Sequence, residues 1–155
     1  MNNSVNKLPA KESMTVEFKS DRSGFPTDDL VAALICLANT EGGELWLGVE
    51  DDGMPSGLHA SHNNLMDLPN LVASKTSPSL SVTVTKQVFA GIVVAKITVP
   101  KSNVLIATTD GVCLHRRLKH DETPECISVH NKECLRRVAL YPAELRVRGA
   151  HYTQI

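Results

Sequence analysis

The sequence has no run of 18 apolar residues, and its opening MNNSVNKLPAKE lacks an apolar stretch, so neither a membrane-spanning helix nor a secretory leader is predicted. Aromatic residues are scarce: three Phe, two Tyr and one Trp. Phe18 and Trp46 fall on core-like strands, which argues against an exposed base-stacking platform. No CxxC pair occurs among Cys36, Cys113, Cys126 and Cys134, so a zinc ribbon is excluded. Cys36 falls on the core face of a predicted helix. Without a leader, the cysteines are expected to be reduced, mostly structural thiols in a cytoplasmic protein. The six histidines are scattered without HExxH, and no GxSxG, GxxxxGK[ST] or GxGxxG opens a helix. Zincin chemistry, a serine elbow and a phosphate loop therefore have no support.

What is present suffices for one core. A chain of 155 residues buries roughly 68–70% of the surface that its unfolded form exposes. The formal net charge of −1 conceals an asymmetry. Residues 1–80 carry 5 Lys/Arg against 11 Asp/Glu, whereas residues 81–155 carry 11 against 6. Internal pairing, head-to-tail association, or a basic nucleic-acid surface beside an acidic site would each produce this division.

The pattern of elements predicts a single α+β domain with a mixed, mainly antiparallel sheet packed with two to three helices. TVEFK at 15–19 reads as a strand. Leu30, Ala33, Leu34, Leu37 and Ala38 recur at helical spacing over 28–40, after Thr27 as N-cap and the acids Asp28 and Asp29. Gly42-Gly43 stops that helix and leads into a strand over 44–49, which ends at the turn Asp51-Asp52-Gly53. Ser61 is expected to cap a second helix running through Val72, kinked at Pro69. Residues 80–99 read as a long hairpin, 111–118 as a strand and 131–140 as a short helix.

Three groups of residues bear on chemistry. Glycines 42, 43, 48, 53 and 57 follow a helix instead of opening one, so they read as turn residues, with a nucleotide on their amides as the alternative. Glu12 and Glu17 flank the first strand and Asp51 ends the next one. Carboxylates at neighbouring strand ends can hold one or two divalent ions, the alternative being solvated surface. Arg116, Arg117, Lys119, Lys132, Arg136 and Arg137 would form one phosphate-binding face or a solvated one with pairs such as Glu133 with Arg137.

The segments ESMTVEFK at 12–19 and LANTEGGELWLGVEDDGMPSG at 37–57, the exit VPKS at 99–102 and the Gly-led strand near Arg116 occur in a specific order. In that combination, over roughly 12–118, the chain resembles the Schlafen AlbA-type domain, a DNA-binding module of bacterial RecG-related helicases and transcriptional regulators. The resemblance implies a domain over 12–140 between a flexible 1–11 and an extension over 141–155 that begins a following domain. It implies a nucleic-acid-binding, regulatory and non-catalytic role on DNA or RNA, with no membrane partner. Asn39, Gly42, Gly43 and Gly53 would build the turn, with Asn39 bonding across it.

In the animal Schlafen branch the same fold is a metal-dependent ribonuclease. Its carboxylates match Glu12, Glu17 and Asp51, which would ligate Mg²⁺ or Mn²⁺, with Lys19 on phosphate. That nuclease closes two lobes into a horseshoe, so one lobe here implies a homodimer. A nucleotide-sensing or oligomerisation module is the third reading.

Overall fold

The computed structural model describes residues 7–129. The helix expected over 131–140, the 141–155 extension, and Lys132, Arg136 and Arg137 lie outside them.

Alternation in Val16–Lys19 makes β1, with Val16 and Phe18 on one face and Glu17 and Lys19 on the other. Helix α1 spans Thr27–Ala38 and buries Leu30, Val31, Leu34, Ile35, Leu37 and Ala38. Its N-cap is Pro26, one residue before the expected Thr27, and no side chain caps it. Asp28 and Asp29 still occupy the first turn, where the helix dipole favours them. Strand β2, Gly43–Leu47, returns parallel to β1 and sets Phe18 opposite Trp46.

The expected second helix is divided. A 3₁₀ turn at Ala60–His62 is followed, after a break, by α2 at Leu68–Ser74, with Pro69 in its first turn. Proline has no N–H to lose at a helix start and its φ suits that position, so Pro69 begins a helix instead of kinking one.

Strand β3, Thr76–Ser77, precedes the expected hairpin. This consists of β4, Thr83–Phe89, and β5, Ile92–Val99, joined at Ala90-Gly91 with φ of 50° and 79°. Two positive-φ residues form the tight turn whose twist matches that of the strands. Strand β6, Ala107–Thr108, pairs with β3. Strands β7, Leu114–Leu118, and β8, Pro124–Ser128, form a second, separate hairpin. The main sheet runs β1-β2-β5-β4, parallel only between β1 and β2. The fold is α+β as expected.

The sheet buries both faces. Leu45, Leu47, Ala95, Ile97 and Val99 pack with α1, while Phe18, Trp46, Val49 and Val94 form a smaller cluster on the opposite face. The two aromatics are 1% and 2% exposed, so neither can stack a base. Among the described residues no helix is long and apolar enough to cross a membrane.

Candidate functional site

β1 is one edge of the main sheet. Because side chains alternate along a strand, Glu17 and Lys19 share the face that α1 covers. Beyond α1 stands the β7–β8 hairpin, and the space between it and β1 is a cleft of about 450 Å³. Glu12, Glu17, Lys19, Asp51, Arg116 and Lys119 all line it, joined by Asp121, Thr123, Glu125 and Cys126. The structure thus brings the three motif carboxylates and the basic strand to one place.

Glu12, Glu17, Lys19 and Arg116 are already engaged within the protein. Glu12 Oε1 accepts the Phe18 N–H at 2.9 Å, closing a donor at the open edge of β1. Arg116 reads in sequence as a phosphate ligand, but it is 1% exposed and its guanidinium is spent inside the protein. Nη1 donates to Glu17 Oε2, Nε donates to the Ser13 carbonyl at 3.0 Å, and Nη2 donates to the Ser13 and Val16 carbonyls at 2.6 and 2.8 Å. Its backbone N–H also bonds Thr40 Oγ1 at 2.9 Å. A buried guanidinium with this many partners is a structural cross-link between β7 and the β1 segment.

Lys19 Nζ lies 2.7 Å from the other Glu17 oxygen. Arg117, one residue along the strand and therefore on its opposite face, is exposed and pairs with Glu125 at 2.7 Å. Lys119 is exposed beside the hairpin turn.

The two glutamates are driven apart electrostatically. Burial raises the Glu12 carboxyl above its ordinary value of 4.5, and the charge of Glu17 adds to this against the opposing Phe18 N–H, Lys19 and Arg116. Burial also acts to raise Glu17, but the hydrogen bond and charge of Lys19 and the Arg116 guanidinium outweigh it and hold that carboxyl below 4.5.

The carboxylates do not fit a divalent ion as they stand. Among the described residues no three His, Cys, Asp or Glu side chains are gathered so that they could hold one. Glu17 is committed to two cations and one oxygen of Glu12 to the backbone.

The glycine turn serves the fold. Gly42 and Gly43 have φ of 69° and 137°. A Cβ on Gly42 would meet the backbone of Val99–Lys101, and one on Gly43 would collide with the Thr15 carbonyl. Backbone therefore packs directly against both glycines. Asn39 bonds not across this turn but to distant segments. Nδ2 donates to the carbonyls of Ile106 at 2.7 Å and Leu114 at 2.8 Å, while Oδ1 accepts the Ile106 N–H at 2.8 Å.

The thiol expectation is corrected. Cys36 of α1 and Cys126 of β8 form a disulfide with Cα atoms 6.0 Å apart. The pairing of β8 with β7 sets Cys126 opposite Arg116, the residue anchored beside α1, and so delivers it to Cys36. Sequence reasoning missed β8, and with it one wall of the cleft.

Known structures share this architecture. The DIP2311 protein from Corynebacterium diphtheriae superposes with a TM-score of 0.61 at 23% identity, covering 79% of this chain and 27% of that one. The chain thus spans about a quarter of that protein's length. The N-terminal domain of a RecG-related protein from Nitrosomonas europaea gives a TM-score of 0.48 at 25% identity over 59% of this chain and 66% of that one. No curated protein sequence matches. The profile of the Schlafen AlbA_2 family matches residues 12–125, which takes in both walls of the cleft as far as β8, and the chain belongs to that family.

Proposed function

We propose that the chain is a nucleic-acid-binding domain, regulatory and acting on DNA, which takes the phosphate backbone along the mouth of the cleft between β1 and the β7–β8 hairpin. The observation that supports this reading is the meeting of the motif strand and the basic hairpin in one cleft. The lining limits how the polyanion sits. Five carboxylates, Glu12, Glu17, Asp51, Asp121 and Glu125, face three cations, Lys19, Arg116 and Lys119. A phosphate is therefore repelled from the floor, where Arg116 is already spent, and is held by Lys19 and Lys119 of the lining, with Arg117, exposed on the other face of β7, as a third cation on the hairpin. Contacts of this kind bind without reading bases. Two or three of them give a shallow salt dependence, with log K falling by roughly 0.9 per phosphate neutralised for each decade of salt. Titration of labelled duplex and single strands at two salt concentrations tests this. Binding that weakens with that slope is expected; no binding at low salt refutes it.

The convergence of Glu12, Glu17 and Asp51 on the same cleft favours a second reading, a divalent-ion-dependent ribonuclease. An added ion would have to draw Glu17 away from Arg116 and Lys19. RNA cleavage with Mn²⁺ or Mg²⁺ that disappears in Glu17→Gln, while binding persists, would establish it; intact RNA under those conditions removes it.

A further inference from the structure

The two sulfurs of the disulfide occupy unlike settings. Cys36 is fully buried in the last turns of α1. Cys126 is exposed and lines the cleft. Among the described residues the strand that carries it has few other attachments to the body of the domain. β8 hydrogen-bonds within its own hairpin, to β7, and that hairpin forms no part of the main sheet. The bonds from the hairpin to α1 and its C-cap are made by β7, through Asn39 to Leu114 and Thr40 to Arg116. Among the described residues no hydrogen bond or ion pair joins β8 to α1, so the disulfide is its fixed link to the helix. The turn from Lys119 to Thr123 and the Glu125 side chain, which form that wall of the cleft, hang from the segment it clamps.

We propose that Cys36–Cys126 is a redox latch on the cleft: the disulfide holds β8 and the hairpin turn against α1, and reduction releases them while β7 stays anchored.

The reductant is a thiol in excess. Its thiolate attacks the accessible Cys126 sulfur, the S–S bond breaks, and Cys36 leaves as a thiolate that takes up a proton. A second reductant thiol then attacks the mixed disulfide. Cys126 leaves and is protonated, and the two reductant sulfurs depart joined as their own disulfide. Two electrons pass to the protein, and Cys36 and Cys126 both end as thiols.

Peptide-level hydrogen exchange on the full chain, with and without dithiothreitol, is the test, with differential alkylation mapping each cysteine. The expected result is a Cys36–Cys126 linked peptide without reductant. With reductant, amides over residues 119–128 should exchange at least about tenfold faster while those of α1 and the Arg116 anchor change little. Cys126→Ser should show the fast pattern in both conditions. Absence of the linked peptide from oxidised protein, or equal exchange in the two states, overturns the proposal, and the wild-type comparison decides even where the variant does not fold.

The consequence for ligand rests on the proposed function. Oxidised protein should bind labelled DNA more tightly than reduced protein, because the wall is already set in place. If the hairpin loosens on reduction and affinity does not move, the latch stands and the assignment of nucleic acid to this cleft is what fails.

Discussion

The two walls of the cleft are built on different principles. The β1 wall belongs to the main sheet: it has a parallel partner along its length, Phe18 in a core on one face, and a glycine on β2 that lets backbone lie against backbone. The β7–β8 wall is a two-stranded ribbon outside that sheet, held to the body of the domain, among the described residues, at a few points that include Asn39, Thr40, Arg116 and the Cys36–Cys126 disulfide. A two-stranded hairpin is at best marginally stable alone. A rigid wall faces one that depends on its tethers, so removing tethers should move the second wall and leave the first.

The largest effect is expected at Arg116. Arg116→Ala leaves Glu17 facing only Lys19 and frees the Ser13 and Val16 carbonyls. Breaking a buried pair from one side costs about 3–5 kcal/mol, to be read as a lowered urea midpoint at constant slope. Arg116→Lys should recover only part, because an ammonium cannot span three acceptors as a planar fork does. Asn39→Ala comes next. It deletes three hydrogen bonds worth roughly 0.5–1.5 kcal/mol each, and exchange should rise around Ile106 and Leu114 before it rises in β1.

A smaller effect distinguishes the glutamates by pH. Glu17 has a lowered folded pKa, so its contribution is present above 4.5 and is lost as pH falls through the folded value. Glu12 has a raised folded pKa, so the folded state holds the extra proton just above 4.5, and stability declines as pH rises through that window. Glu12→Gln should flatten the decline and Glu17→Gln should remove the acid-side rise, both visible in unfolding curves across pH. The smallest effect belongs to Arg117→Ala. Its exposed pair with Glu125 contributes at most about 1 kcal/mol, yet losing one phosphate contact should reduce the salt slope of binding by about 0.9.

These contrasts also explain what was legible in the sequence. Strand β1, helix α1, strand β2 and the long hairpin carry strong periodicity and turn residues, so local pattern suffices to find them. β8 carries none. PECIS becomes a strand because β7 offers it a partner, and pairing between segments is invisible to local propensity. Of the adjacent arginines, both read as phosphate ligands, but a strand turns one inward. Leu114, two positions before Arg116 and packed on the core, was the signal that Arg116 shares the inner face. Glu12, Glu17 and Asp51 line one cleft, which their spacing alone could not show, and the bonds that occupy Glu17 are likewise invisible in the sequence. The Cys36–Cys126 link could not be read from spacing, since four cysteines allow several connectivities.

The most direct measurement of the central claim is the affinity of labelled DNA and RNA strands, at low and moderate salt, for the unaltered chain and for Arg117→Glu/Lys119→Glu, whose two side chains are exposed on the β7–β8 hairpin. The account predicts binding at low salt that weakens as salt rises, and a loss of at least about tenfold in the variant at unchanged circular dichroism. Equal affinity in both proteins, or no binding by either at low salt, would contradict it.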